Sequence, residues 1–515
     1  MTQGNRGPAW LKDAVAYEIY PQSFRDSNGD GIGDFRGMEE KLPYIRDLGC
    51  NLLWINPCFD SPFRDAGYDV RDYKRAADRY GTNEDLYRLF RSAHEMGIRV
   101  LLDLVPGHTS EEHPWFRESR KAEPNEYSGR YVWTDFWIRG CRDYPYIAGE
   151  APRNGAYILN FFKCQPALNY GWLHPTESWQ SAMDAPEARA TVEAMKDVMR
   201  FWLDHGADGF RVDMAASLVK GDDEKKSGTC RIWREIREML DRDYPEAALV
   251  SEWSNPPQAL NGAGFHMDFY LDHPDNGYHT LMRDDSGNSF FAAEGKGDIR
   301  RFLDQYNEWY QSTRGEGYIS LLTCNHDTPR PRRLLTPQEL RLAYAFLFTL
   351  PGVPFLYYGD EIGMRYLDIP TKEGGYTRTG TRTPMQWSRE KNLGFSAGEE
   401  KALYLPVDPE ADAPTVTDQE ADPQSLLNTV RALLALRHAH PDLQAEGEFE
   451  PLYIPEDGRA LVYRRGNLIL CVNPADRKAE LPEEIRAHLA GRKMLFALGE
   501  PAGDILPPRS FSIWE

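Results

Sequence analysis

The chain has 515 residues, of which 41% are hydrophobic and 27% charged, the balance of an ordinary soluble globular protein. Its 60 Lys and Arg against 80 Asp and Glu give a formal net charge of −20, which disfavours nucleic acid or anionic membrane as a partner. No apolar run is long enough to cross a bilayer, and the N-terminus lacks the apolar stretch of a signal peptide. Seven Cys without CxxC spacing argue against a disulfide framework or zinc site, so we expect reduced, mostly buried thiols and a cytoplasmic location.

Short apolar runs alternate with amphipathic stretches over most of the chain. Strands are predicted at residues 14–21, 51–57, 99–105, 209–213, 248–252, 265–271, 318–324 and 353–359. Helices are predicted at residues 38–48, 83–96, 186–205 and 336–349. Eight strands that alternate with helices predict an α/β fold, the (β/α)8 TIM barrel.

Two segments depart from this alternation. Residues 109–172, after the third strand, are rich in Trp, Tyr, Pro and Gly and too long for a simple connection, so they predict an inserted subdomain over the barrel mouth. From about residue 440, alternating runs such as Leu461-Val-Tyr-Arg predict a C-terminal antiparallel β-sandwich. The predicted domains are the barrel (1–108 and 173–439), the inserted subdomain (109–172) and the C-terminal domain (440–515).

Three carboxylates each end a strand-like apolar run: Asp213, Glu252 and Asp327. The carboxyl ends of barrel strands converge on one face, where such barrels carry their active sites. A retaining glycosidase needs an ionised carboxylate as nucleophile and a protonated one as acid/base, about 5 Å apart. A lone Asp or Glu is most often a surface or ion-paired residue, but three at barrel strand ends predict an active site.

The motifs around these acids resemble glycoside hydrolase family 13, the α-amylase family. They include Gly209-Phe-Arg-Val-Asp213 and Gly380-Thr-Arg-Thr-Pro-Met-Gln-Trp387, the second of which is typical of the oligo-1,6-glucosidase/α-glucosidase group. The resemblance covers nearly the whole chain in order and spacing. It implies an enzyme, a glycoside hydrolase that acts on small oligosaccharides.

The resemblance also implies a role for each acid. Asp213 would be the nucleophile, Glu252 the general acid/base and Asp327 the transition-state stabiliser. Arg211 lies two residues before Asp213 on the same strand face, so we expect it to lower the pKa of the nucleophile. An apolar surround such as Trp253, together with nearby anions, would favour a proton on Glu252.

Further residues match the sugar-binding part of the family pattern. The resemblance implies that Tyr68 stacks under the −1 sugar, Asp65 binds its 4-hydroxyl, and Arg382 pairs with Asp65 to close the pocket. His108 and His326 would hydrogen-bond ring hydroxyls. A closed pocket implies release of one glucosyl unit from a chain end; the alternative for Tyr68 and Arg382 is a packed aromatic ring and a structural ion pair.

A loop after the first strand, Asp26-Ser-Asn-Gly-Asp-Gly-Ile-Gly-Asp34, has oxygen donors at alternate positions and glycines for tight turns. The twelfth position is Gly37, where an EF-hand has a bidentate Glu, so the loop is EF-like only. The similar glucosidases hold a structural Ca²⁺ there; the alternatives are Mg²⁺ or a turn without metal. The predicted ligands are the side chains of Asp26, Asn28, Asp30 and Asp34 and the backbone carbonyl of Ile32.

Some positions depart from the family pattern. Gly107 and Ala167 stand where calcium-dependent α-amylases have Asn and Asp ligands of a second calcium, so we expect no second site. Met214 follows the nucleophile, where Val accompanies α-1,6 preference and Thr α-1,4 preference. The linkage that this chain prefers is therefore open, as is its oligomeric state.

The sequence favours a retaining exo-acting α-glucosidase that hydrolyses terminal α-linked glucose from short oligosaccharides. A glucosyltransferase or isomerase, trehalose-forming or sucrose-rearranging, would share most of these motifs and is the alternative. A non-catalytic member that serves as a binding subunit is disfavoured, because such proteins usually lose catalytic acids and gain a membrane anchor.

Overall fold

The barrel is an eight-stranded parallel sheet in this computed structural model, which describes residues 7–141, 143–283 and 286–515. The strands are β1 (Ala16–Ile19), β2 (Leu52–Ile55), β3 (Arg99–Leu104), β4 (Gly209–Val212), β5 (Ala248–Ser251), β6 (Met267–Tyr270), β7 (Tyr318–Leu321) and β8 (Phe355–Tyr357). Their order in the sheet is β7-β6-β5-β4-β3-β2-β1-β8, and a parallel bridge between Leu322 and Phe355 closes it. The predicted TIM barrel is confirmed.

Seven longer helices of the described residues accompany these strands. They are α1 (Phe35–Leu48), α2 (Asn83–Glu95), α3 (Pro186–Asp204), α4 (Ser227–Asp243), α5 (Ile299–Thr313), α6 (Pro337–Leu347) and α7 (Leu426–Ala439). Shorter helices span Pro21–Phe24, Pro114–Ser119, Gly277–Met282, Val416–Glu420 and Glu483–Leu489. Capping boxes fix the starts of α2, at Thr82 and Asp85, and of α6, at Thr336 and Glu339. The four predicted helices correspond to α1, α2, α3 and α6.

Side chains of the barrel strands alternate between the interior and the helix layer. On β1, the hydroxyl of Tyr17 donates to Glu361 on the helix side, whereas Glu18 contacts residues of the barrel interior. Aromatic rings fill much of that interior: Trp54 lies 5.3 Å from Phe269, centroid to centroid. The polar residues that remain inside lie at the carboxyl ends of the strands, where a solvent-facing mouth opens.

The inserted segment contains a short antiparallel pair, Tyr146–Ile147 with Tyr157–Ile158. A bridge between His108 and Ala167 ties its end to the residues that follow β3. A second antiparallel pair, Phe59–Asp60 with Asp72–Ala76, lies in the β2–α2 connection. These two connections bring their residues to the barrel mouth; the predicted domain boundaries themselves stay a prediction.

The C-terminal part is an antiparallel sheet, as predicted. Its strands are β9 (Phe449–Tyr453), β10 (Leu461–Arg465), β11 (Leu468–Asn473), β12 (Met494–Leu498) and β13 (Ser510–Trp514), in the order β9-β10-β11-β13-β12. A thin second layer covers one face, with the strand pair Ala479–Glu480 and Ile505–Leu506 and the helix Glu483–Leu489. On the other face Tyr463 packs against Phe346 of α6, so this sheet buttresses the barrel at a distance from its mouth.

Candidate active site

One arginine gathers three carboxylates at the ends of neighbouring strands. Nη1 of Arg211 lies 2.9 Å from Asp103 and 3.0 Å from Asp213, and its Nη2 lies 3.0 Å from Glu252. Asp103 on β3 pairs in register with Arg211 on β4, and Glu252 directly follows β5. The predicted convergence of Asp213 and Glu252 is therefore present, with Asp103 beside them.

Arg211 lowers the pKa of Asp213, as predicted, but the net shift is upward. Burial raises the pKa of Asp213 well above its usual range, the negative charge of Glu252 adds to this, and Arg211 only opposes it. Burial likewise raises the pKa of Asp103 to about 6. The predicted contribution of Arg211 is outweighed because Asp213 is buried and shares this one guanidinium with two other carboxylates.

The backbone after Asp213 also shapes this site. Met214 has a φ of 41°, a left-handed conformation that is rare and strained for a residue other than glycine. This turn directs its N–H to Oε2 of Glu252 at 2.9 Å. The strain at Met214 therefore accompanies a hydrogen bond that orients the second carboxylate.

Asp327 has a different environment from Asp213. Its Oδ1 accepts hydrogen bonds from Nη1 of Arg378 at 2.9 Å and from Nη2 of Arg382 at 2.8 Å. Although burial opposes the effect, His326 and these two arginines hold the pKa of Asp327 well below its usual range. These contacts favour the ionised form of Asp327.

The contacts of Asp65 and Arg382 differ from the prediction. Arg382 does not pair with Asp65 but bonds Asp327, so that predicted ion pair is wrong; the guanidinium of Arg378 lies 3.6 Å from Asp65. Nε2 of Gln165, from the inserted segment, donates to the other oxygen of Asp65 at 2.7 Å. Burial raises the pKa of Asp65 to about 6. Sequence reasoning missed Arg378 and Gln165, although Arg378 lies four residues before Arg382 on the same loop.

Tyr68 and His326 form a stacked pair in the pocket floor, with ring centroids 5.4 Å apart. The Tyr68 hydroxyl lies 2.6 Å from Nε2 of His326, and Nδ1 of the same ring lies 2.7 Å from Glu18. Sequence reasoning missed Glu18 because it stands inside an apolar strand, where only the alternation of side chains would have directed it inward.

His108 is buried beside this pair. Its Nε2 lies 3.1 Å from the carbonyl oxygen of Tyr68, and its Nδ1 lies 3.2 Å from the carboxamide of Asn160. Burial lowers the pKa of His108 to about 3, so the ring is neutral. It braces the loop that carries Tyr68, while its predicted hydrogen bond to a sugar stays a prediction.

The sequence profile of the alpha amylase catalytic domain matches residues 18–446. The chain belongs to the α-amylase family. A trehalose synthase/amylase of Mycolicibacterium smegmatis is 34% identical over 549 residues, covering 93% of this chain and 86% of the relative. A probable oligo-1,6-glucosidase of Bacillus subtilis is 32% identical over 532 residues, covering 89% of this chain and 88% of the relative.

Solved structures of α-amylase family enzymes share this fold. The trehalulose synthase of Pseudomonas mesoacidophila superposes with a TM-score of 0.80 at 26% identity, covering 99% of each chain. The chain is therefore an enzyme of this family, with glycoside hydrolase or related transferase or isomerase activity.

The EF-like loop of this α-amylase family member folds around its own acidic side chains. Asp26 accepts hydrogen bonds from three backbone N–H groups of the loop, and Asn28 and Asp30 each accept one from the residue two positions on. Asp34 caps the start of α1. In the described ranges no three His, Cys, Asp or Glu side chains are placed to hold a metal, so a cation here would also need the oxygens of Asn28 and Ile32. That oxygen-only donor set fits Ca²⁺ in its chemistry.

Two further findings concern the predicted cellular context. In the described ranges, no helix combines the length and the apolarity that crossing a bilayer requires. All seven cysteines are free thiols, and each is buried, as expected for residues that pack as small hydrophobic side chains.

Proposed function

We propose that this enzyme is a retaining, exo-acting α-glucosidase that releases terminal α-linked glucose from short oligosaccharides. The observation that carries the proposal is the asymmetry of the pocket. Asp213 and Glu252 lie together on Arg211 at one end, while Gln165 and Arg378 enclose Asp65 at the other. An end enclosed in this way supports recognition of a terminal sugar unit.

In the first step, a carboxylate oxygen of Asp213 attacks C1 of the terminal glucosyl unit while Glu252 donates its proton to the glycosidic oxygen. The glycosidic C–O bond breaks, the rest of the substrate leaves as an alcohol, and a glucosyl ester of Asp213 forms. Asp327, kept anionic by two arginines, opposes the positive charge that develops at C1.

In the second step, Glu252 acts as a base. It takes a proton from water, whose oxygen attacks C1 and breaks the ester to Asp213. The two inversions release α-glucose and restore the ionised nucleophile and the protonated acid. In the free enzyme, burial and the charge of Glu252 raise the pKa of Asp213, and Arg211 is the contact that favours the ionised form that the attack requires.

A glucosyltransferase or isomerase is the second candidate, and the relatives named trehalose synthase and trehalulose synthase favour it. The first step would be the same. A sugar hydroxyl would replace water in the second, so the two candidates differ only in the acceptor.

Time-resolved NMR of anomeric protons separates these candidates. The enzyme is incubated separately with isomaltose, maltose, sucrose and trehalose. Early α-glucose from any of them supports the glucosidase and identifies its linkage, whereas new glycosidic signals with little free glucose support the transferase or isomerase. Early β-glucose contradicts the retaining mechanism of both.

We also propose a structural Ca²⁺ in the EF-like loop and a cytoplasmic location. The oxygen donors of Asp26, Asn28, Asp30, Ile32 and Asp34 support the first, and the free, buried thiols support the second. Metal analysis of purified enzyme, with and without prior chelation, tests the calcium proposal directly.

A further inference from the structure

The hydroxyl of Tyr68 has one hydrogen and three hydrogen-bond partners. Oδ2 of Asp103 lies at 3.0 Å and Nε2 of His326 at 2.6 Å, and Nη1 of Arg211, which can only donate, lies at 3.5 Å. Asp103 is an acceptor, because the same oxygen also accepts from the indole N–H of Trp54 at 3.1 Å and its other oxygen accepts from Arg211 at 2.9 Å. The Tyr68 hydrogen therefore goes to Asp103, and the Tyr68 oxygen accepts a hydrogen from Nε2 of His326.

The other ring nitrogen of His326 faces β1. Nδ1 lies 2.7 Å from Oε1 of Glu18 and 3.1 Å from the carboxamide nitrogen of Asn56. Glu18 is fully buried in the barrel interior, and its second oxygen has no hydrogen-bond partner. Burial raises the pKa of Glu18 and lowers that of His326, so burial favours the neutral form of both groups. One proton lies between Glu18 and Nδ1, whichever of the two atoms holds it.

We propose that Glu18 is a positioning residue for the reaction. Its hydrogen bond to Nδ1 holds His326 with the N–H of Nε2 directed toward Tyr68, the ring expected to stack under the bound glucosyl unit. Glu18 itself contacts no substrate and acts through the histidine, as carboxylates behind functional imidazoles generally do. The sugar contact rests on the proposed function, whereas the state of the ring does not.

The chain offers a matched control in Glu361. Like Glu18, it is a fully buried glutamate with one oxygen that has no hydrogen-bond partner. Its other oxygen accepts from Tyr17 and Tyr44 at 2.7 Å each, on the helix side of the barrel. Removal of either carboxyl disturbs a buried polar group, but only Glu18 touches the ring of His326.

The first test is ¹⁵N NMR of the whole enzyme labelled at its 12 histidines. The His326→Gln variant identifies the signals of His326. We expect Nε2 of His326 to carry a proton in the wild type at neutral pH. Glu18→Gln should retain this proton, because its amide N–H can donate to Nδ1. Glu361→Leu should retain it as well. A wild-type ring protonated at Nδ1 with a bare Nε2 overturns the proposal.

The second test is the kinetics of 4-nitrophenyl α-glucoside hydrolysis. Glu18→Leu should lower kcat/KM about a hundredfold, the size expected when a contacting group is displaced by an ångström. Glu18→Gln should recover most of that loss, and Glu361→Leu should keep wild-type kinetics at a lower melting temperature. An equal loss in both Leu variants, or no rescue by Gln, overturns the positioning role.

Failure of the proposed function and failure of the positioning role of Glu18 give different results in these two tests. If the wild type hydrolyses no α-glucoside, the proposed function is wrong, but the protonation of His326 still decides the role of Glu18. If Glu18→Leu does not fold, the wild type and Glu18→Gln supply both the NMR result and a kinetic comparison with Glu361→Gln. A Glu18→Gln enzyme that folds but loses both the Nε2 proton and activity contradicts the account.

Discussion

Two groups of carboxylates in the site differ in how many arginines contact them. A single guanidinium, Arg211, serves Asp103, Asp213 and Glu252. Two guanidinium groups, those of Arg378 and Arg382, contact Asp327, and Arg378 also lies 3.6 Å from Asp65.

The pKa values of the two carboxylates shift in opposite directions. Burial raises the pKa of Asp213, whereas two arginines and His326 overcome burial at Asp327 and lower its pKa. The carboxylate that shares one arginine with two others therefore has the raised pKa, and the carboxylate that two arginines contact has the lowered one. The predictions below test this comparison from its largest consequence to its smallest.

The largest effect is expected at Asp213, one of the three carboxylates that share Arg211. Asp213→Asn removes the nucleophile and should lower kcat by at least about 10⁴-fold, while circular dichroism and melting show a folded protein. Asp47→Asn, at an exposed acid of α1, is the control and should keep wild-type activity. Residual activity of Asp213→Asn within tenfold of the wild type would remove Asp213 from its role.

A buried carboxyl without an arginine sharpens the comparison. Burial raises the pKa of Glu361 from 4.5 to about 7. Its folded-state pKa lies above its unfolded one, so the folded state retains a proton that the unfolded chain has lost, and stability falls as pH rises between these values. In the wild type, the free energy of unfolding should fall by about 3 kcal/mol across this range, and Glu361→Gln should abolish that fall. Melting curves from pH 4.5 to 8 check this, and parallel curves for variant and wild type would contradict it.

Loss of one of the two arginines at Asp327 should have a smaller effect. Arg378→Met should lower kcat/KM about a hundredfold, because Asp327 and Asp65 both lose a positive neighbour. Arg378 lowers the pKa of Asp65, which burial raises to about 6, so without Arg378 this pKa should rise and the acidic limb of the pH–activity profile should move to higher pH. Arg389→Met, which breaks an exposed pair with Asp418, is the control. An unchanged acidic limb in Arg378→Met would show that Arg378 does not help to keep Asp65 ionised.

The smallest effect concerns the acids outside the pocket, in the EF-like loop. A chelator should lower the melting temperature by a few degrees with little change in activity at low temperature, because bound cation stabilises only the folded state. Asp30→Ala should make melting insensitive to chelator, whereas Asp78→Ala, at an exposed acid paired with Arg75, should not. Identical melting with and without chelator, together with metal analysis that finds none, would contradict the calcium proposal.

The fold could be predicted because its signals are local. Each barrel strand is a short apolar run between amphipathic helices, so periodicity places all eight of them. The carboxylates of Asp213 and Glu252 follow from the same signal, since they end two of these strands.

The pairing of side chains across the pocket could not be predicted in the same way. Arg378 and Arg382 share one loop of the chain, and which of them reaches Asp65 depends on the path of that loop. The pKa of Asp213 depends on how many carboxylates share Arg211, which a motif read along one strand does not show. Glu18 was missed because its partner, His326, lies 308 positions away in sequence.

The central claim is a covalent glucosyl ester on Asp213, and mass spectrometry after reaction with 5-fluoro-α-glucosyl fluoride tests it most directly. The fluorine at C5 slows both formation and hydrolysis of the ester. Because fluoride is a good leaving group, formation stays faster than hydrolysis, and the ester accumulates. The account predicts one added fluoroglucosyl group, on the peptide that contains Asp213, and none in Asp213→Asn. A label on a different residue, or turnover with no label and release of β-glucose, would contradict it.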